Sequence, residues 1–370
     1  MVTASPNWLQ STFGDALAWA AATHGDREAV VTDTRRLTFR ELSRRALAFA
    51  RGLMAEGVQP GDKVALWMSD RVEWLVARWA IPAIGAVLVP VNTRFRLDDA
   101  RYVLEQSDTA VLIVEDRAGS VNYVDLMERL VGPREAGGPQ GLPRLRRVVV
   151  LGDRAPAAEG RRAFAAIEAA GAASVDDGVL ERRMAAVTAD DVAQILYTSG
   201  TTSFPKGAQL THGALLQNNF RTIERMALTS RDRYLSCVPL FSATGTGYTL
   251  SMLLAGAAMV IIDRFEAQRF CETVQRERIT VTFMVDAIVQ DLKAFSRRSD
   301  YDLSTLRTGT GAPLSPASFR FATEVLGIPQ LIGVFGMSET SNAVARGDCR
   351  DPYEKRSGTN GRPVEGVRIR

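Results

Sequence analysis

The feature that most constrains this chain is a regular exchange of short apolar runs with amphipathic ones. Val64-Ala-Leu-Trp67, Ala86–Val91 and Ala110–Val114 read as strands, with Arg71–Ile84 and Asp98–Gln106 between them as helices. Thr38-Phe-Arg-Glu41 has the form of a capping box. It opens a helix with Leu42, Ala46, Phe49, Ala50 and Leu53 on one face and Gly57 as its stop. The exchange resumes at Val192–Tyr197. Strands are then expected near Tyr234–Val238, Ala258–Ile262, Val281–Val285 and Gln330–Val334. Helices are expected near Ala214–Ala227, Gln268–Glu277, Ile288–Ser296 and Ser315–Val325. Such alternation predicts an α/β fold whose parallel sheets are covered on both faces. A Gly/Pro-rich stretch at 132–143 and an Ala/Arg/Gly-rich one to about 189 interrupt it, so two layered α/β subdomains are expected, about 1–185 and 186–370.

Composition removes several function classes. The 370 residues carry 45 Lys+Arg against 42 Asp+Glu, a net +3 that leaves no basic stripe for nucleic acid. Cys237, Cys271 and Cys349 are far apart, which fits neither a disulfide framework nor a zinc site and suggests a reduced, cytoplasmic setting. Only His24 and His212 exist and no G-x-S-x-G elbow appears, which argues against a serine-hydrolase triad and excludes a His-rich metal site. The opening residues do not read as a signal peptide. The longest apolar runs fall short of the ~20 residues that span a bilayer. Oligomeric state is not written in the sequence.

Chemistry concentrates in Tyr197-Thr-Ser-Gly-Thr-Thr-Ser-Phe-Pro-Lys-Gly207. Hydroxyls of Thr198, Ser199, Thr201 and Thr202, amides freed around Gly200, and the ammonium of Lys206 are the groups that wrap phosphate oxygens. It is not a Walker A loop, because Pro205 precedes the lysine and Gly207 follows it. A Ser/Thr-rich surface turn is the plainer reading of the same residues.

The segment resembles the phosphate loop of the adenylate-forming superfamily, the acyl-CoA synthetases, luciferases and peptide-synthetase adenylation domains. It departs from that pattern only at Ser203, which stands for a glycine, and it is followed by the matching Thr211-His212. Gly309-Thr-Gly-Ala-Pro313 is similar to the superfamily's adenine-side loop, and would otherwise be a Gly/Pro turn. Phe335-Gly-Met-Ser-Glu339 resembles Y-G-x-T-E. Phe335 would then stack on adenine, Gly336 and Met337 would lie beside the nucleotide, Ser338 would meet phosphate and Glu339 would ligate magnesium. Gly361-Arg-Pro363 and the strand-like Val367–Arg370 continue the match.

The resemblance implies the large N-terminal domain of that fold, with ATP, Mg2+ and coenzyme A as substrates and cofactors. It implies ATP-dependent activation of a carboxylic acid, fatty or related, to an acyl-adenylate and then a thioester. An acid-adenylating domain that loads a carrier protein, or a non-catalytic nucleotide-binding remnant, are the alternatives. The superfamily's ribose-binding aspartate and C-terminal catalytic lysine would follow residue 370, so a chain ending there is expected to be incomplete and poorly active.

Pro239-Leu-Phe-Ser-Ala-Thr-Gly245 resembles the acyl-pocket segment, giving Phe241, Ser242, Ala243 and Gly245 as wall residues with Met284 and Val285. Ser242 replaces the usual aromatic or histidine and lacks the carboxylate that grips an amine in amino-acid-activating relatives. Asp286 stands where the superfamily usually has proline, and reads as a cap on a helix beginning near Ala287.

Overall fold

The computed structural model describes residues 6–131, 142–152, 161–173, 177–198, 205–340 and 342–369. The chain divides into two compact units, 1–19 with 41–214 and 20–40 with 215–370. These boundaries differ from the expected division near residue 185, because the strands Val192–Tyr197 and Gly207–Thr211 complete the first sheet while the hairpin at 28–38 joins the second. Strand pattern reveals that a segment is extended and does not reveal which sheet it enters.

In the first unit, seven strands lie in the order 207–211, 192–197, 87–90, 63–67, 109–115, 147–151, 161–163. All neighbours are parallel except the first pair, an antiparallel hairpin. The strand Thr109–Glu115 is buried at every position, as expected of a central parallel strand. Ala65, Trp67, Leu112 and Val114 face a core closed by Val103 and Leu104 of the helix Leu97–Gln106 and by Met127 and Leu130 of the helix Tyr123–Val131. Val64, Leu66 and Ile113 alternate to the other face, where Phe49 stacks on Phe164 with ring centroids 4.0 Å apart.

The second unit is built on a nine-stranded sheet. Its six central strands, Glu28–Val31, Ala258–Ile261, Arg233–Ser236, Val281–Met284, Thr308–Gly311 and Gln330–Phe335, run parallel, with antiparallel partners at both edges. Leu235, Val260 and Met284 pack on one side against Phe270 and Val274 of the helix Ala267–Glu277 and Val289 and Leu292 of Asp286–Ala294. Near one edge Glu28 and Glu277 each pair with both Arg36 and Arg233, at 2.6–2.8 Å, so four charges from four elements close a ring. Among the described residues no helix is long and apolar enough to cross a membrane.

Candidate functional site

In the first unit the described ends of the hydroxyl- and glycine-rich segment lie at two paired antiparallel strands. Tyr197 pairs with Gly207, and the Thr198 amide donates to the Lys206 carbonyl at 3.0 Å, so Thr198 and Lys206 face each other beside that pair. A Cβ on Gly207 would come within 2.9 Å of Ile195 and 3.2 Å of the Tyr197 ring, which explains glycine there. Ser199, Gly200, Thr201, Thr202 and Ser203 lie outside the described residues. The Lys206 side chain is exposed and makes no ion pair with a described residue. The neighbouring His212 serves another purpose, since it is fully buried and its Nδ1 accepts the Phe13 amide.

In the second unit three parallel strands run level, Met284 beside Gly311 and Gly311 beside Gly333, and the third continues to Phe335. Carboxyl ends of parallel strands are where α/β sheets leave room for ligands. Here a cavity of about 540 Å³ opens, and it brings together Gly311, Ala312 and Pro313 from one predicted motif with Phe335 and Gly336 from another. A Cβ on Gly336 would fall on the Asn342 carbonyl, so only glycine allows that approach. Phe335 is 49% exposed and Met337 46%, an unusual presentation for large apolar side chains, so an open aromatic face borders the cavity.

Ser338-Glu-Thr340 forms a short 3-10 turn just beyond. Thr340 Oγ1 accepts the Met337 amide at 3.2 Å and donates to its carbonyl at 2.9 Å, while Asn218 Nδ2 donates to the carbonyls of Thr340 and Ala343 at 3.0 and 2.8 Å. That pinning leaves the Glu339 carboxylate exposed, with no ion pair to a described residue. Among the described residues no cluster of three or more His, Cys, Asp or Glu could cage a metal. A single open carboxylate suits Mg2+, which keeps water and phosphate oxygens for most of its shell.

Several expectations shift. Gly309 and Thr310 lie inside the buried strand Thr308–Gly311, and not in a Gly/Pro turn as the motif alone suggests. The Tyr248 hydroxyl donates to Thr310 Oγ1 at 2.9 Å, and Arg346 reaches the same oxygen at 3.4 Å. Met284 points into the helix-covered core with Val285 beside it, so the cavity wall from this strand is Phe283. Successive side chains on a strand face opposite ways, and a strand buried on both sides gives no polar residue to mark which is which.

Of the stretch Phe241–Gly245, only Thr244 lines this cavity. Ser242 is the N-cap of the helix Ala243–Ala255: its Oγ accepts the Gly245 amide at 3.0 Å and donates to the Pro239 carbonyl at 2.7 Å. Asp286 opens the helix Asp286–Ala294 and accepts the Ser315 amide at 3.0 Å and its hydroxyl at 3.1 Å, fastening the segment after Pro313. Hydrogen bonds from the Ser318 hydroxyl, then the Ser315 amide, hold its carboxyl below the usual range. Asn342, Thr359 and Asn360 also line the cavity, and no sequence signal set them apart.

The chain belongs to the family of AMP-binding enzymes, whose family model matches residues 17–370. YngI of Bacillus subtilis (strain 168), which bears the name of an acyl-CoA synthetase, is 33% identical over 372 residues, 98% of this chain and 67% of that protein. A (methyl-dioxo-octahydroindenyl)propanoyl:CoA ligase of Rhodococcus jostii (strain RHA1) is 34% identical over 378 residues, 97% of this chain and 69% of the ligase. Among solved structures, the anthranilate CoA ligase AuaEII with anthranoyl-AMP superposes with a TM-score of 0.82 at 25% identity, covering 97% of this chain and 65% of that one. The fold is therefore that of the N-terminal domain of adenylate-forming acid–CoA ligases. The chain spans about two thirds of the length of these relatives.

Proposed function

We propose that this chain is the ATP-handling part of an AMP-forming acid–CoA ligase. The observation that carries the reading is the meeting of Gly311–Pro313 with Phe335–Gly336 on one cavity at the carboxyl ends of parallel strands. The exposed Phe335 ring offers adenine a stacking face. By the resemblance of their motif, Thr198, Ser199, Gly200, Thr201, Thr202 and Lys206 are the candidates for phosphate oxygens. Ser338 contributes a further hydroxyl, and Glu339 holds the cation. Mg2+, when bound, screens the charge on the phosphates.

A carboxylate acylates poorly because oxide is a poor leaving group. Its oxygen attacks the α-phosphorus of ATP, the bond to the β-phosphate oxygen breaks, and pyrophosphate leaves. The thiol of coenzyme A, losing its proton, then attacks the acyl carbon and AMP departs. Positioning and charge neutralisation carry most of such a step. The acid is read as a plain carboxylic acid, fatty or related, because Ser242, engaged as a cap, has no carboxylate to hold a substrate amine.

Calorimetry with ATP and magnesium tests the nucleotide half. Lys206→Ala and Phe335→Ala are each expected to weaken binding roughly tenfold, the scale of a lost charge-assisted bond or stacking face. Unchanged affinity in both variants would overturn the assignment.

A further inference from the structure

We propose that the first unit carries a second ligand site, for an organic carboxylate with a compact apolar body, at the end of its sheet away from Thr198. Lys63, Val87 and Val192 are the first residues of three parallel strands, so they lie together at one edge, whereas Thr198 follows the last residue of strand Val192–Tyr197. A cavity of about 330 Å³ opens at that edge. At about 30 Å³ for each water-sized group it holds on the order of ten non-hydrogen atoms.

Its lining is part apolar and part basic. Pro60, Val87, Val187, Val192 and Ile195 supply the apolar surface, and Lys63 and Arg183 are the cations. Gly61 and Gly85 both have positive φ, 78° and 74°, and the Gly61 amide donates to the Gly85 carbonyl at 2.8 Å. A Cβ on Gly85 would reach within 3.3 Å of Val187 and 3.5 Å of Pro60, so glycine keeps that wall open.

Several other basic residues of the unit are neutralised. Arg45, Arg146 and Arg162 are each bridged to a carboxylate at 2.9 Å or less. Lys63 and Arg183 form no ion pair with a described residue, and Arg183 reaches only the neutral Val58 carbonyl and Gln59 Oε1, both at 3.4 Å. Asp191, the one carboxylate of the lining, accepts the Thr188 amide at 2.7 Å within its own turn. Two cations and one carboxylate beside aliphatic residues leave a net positive charge, which suits an amphipathic monoanion. An inorganic anion would leave the walls unused, and a neutral amphipath would leave the cations unpaired.

The test is calorimetric titration of the protein with octanoate, octanol and inorganic phosphate. Octanoate is expected to bind at least tenfold more tightly than either of the others. Lys63→Met and Arg183→Gln should each weaken octanoate at least fivefold, and Val187→Trp should abolish this binding by filling the cavity. Lys63→Met and Arg183→Gln, outside the nucleotide cavity, should leave ATP affinity unchanged, which separates this site from the adenylation reading. Octanoate binding untouched by Lys63→Met and Arg183→Gln, or equalled by octanol or phosphate, would overturn the proposal.

Discussion

The backbone N–H of Phe13 donates to Nδ1 of His212, 199 residues further along the chain, at 3.1 Å. Phe13 begins the helix Phe13–His24, whose first amides have no partner within the helix. His212 supplies one from the start of another helix, and its ring meets the Phe13 ring edge-on with centroids 5.1 Å apart. An imidazole that accepts at Nδ1 carries its proton on Nε2 and must stay neutral. Burial first, and the nearby Arg78 guanidinium as well, lower its pKa to about 4.

This sets a pH dependence. The folded-state value lies below the ordinary 6.5, so the stabilisation is complete above about pH 6.5. It is lost as pH falls towards 4, at about 1.4 kcal/mol per unit and roughly 3 kcal/mol in all. Urea unfolding of the wild type across that window should show the slope, and His212→Gln, which accepts without titrating, should show much less. Equal slopes would mean that other groups govern acid sensitivity.

The second unit has a counterpart in Asp232, which is 3% exposed. It accepts two bonds from Arg307, at 2.6 and 2.8 Å, one from Thr280 Oγ1 at 2.7 Å and one from the Thr229 amide at 2.7 Å. Burial alone would raise its carboxyl pKa, yet Arg307, then Thr280 and Thr229, hold it below the usual range. Arg307→Met strands a buried carboxylate and is expected to cost about 3 kcal/mol in denaturant unfolding. A loss under 1 kcal/mol would show that water replaces the guanidinium.

Central strands were legible because buried parallel strands are runs of β-branched and aliphatic residues, and Val192–Tyr197 falls where its pattern places it. The hairpin Glu28–Thr38 was not, since its second strand is short, with no fully buried position, and shows no alternation. The helix Ala243–Ala255 was missed because Gly245, Gly247 and four Thr/Ser residues weaken helix propensity, and burial nearly all round removes the amphipathic stripe. At the site, glycine-rich motifs marked where the backbone turns near the cavity. Whether a residue such as Thr310 faces ligand or core depends on strand facing, which its own motif does not encode.

Asp286 separates a structural carboxylate from a substrate-reading one. Asp286→Ala should cost about 1 kcal/mol through the lost bonds to Ser315 while leaving the rank order of accepted acids unchanged. A shift in preference towards or away from amino acids, measured by adenylate formation, would make it part of the acid pocket.

Glu339→Gln keeps the size of the side chain and removes its charge. The magnesium concentration for half-maximal adenylation is expected to rise several-fold, with the unfolding curve unchanged because Glu339 is exposed and forms no ion pair with a described residue. Superimposable magnesium titrations would assign the cation to phosphate and water alone.

The central claim is that a carboxylate attacks the α-phosphorus at the cavity bordered by Gly311–Pro313 and Phe335. Exchange of labelled pyrophosphate into ATP reads that step directly and needs no thiol acceptor. With magnesium and a panel of medium- and long-chain and aromatic acids, exchange should appear only when an acid is present and fall at least tenfold in Phe335→Ala and Lys206→Ala. Exchange independent of added acid, or equal in wild type and both variants, would contradict the account.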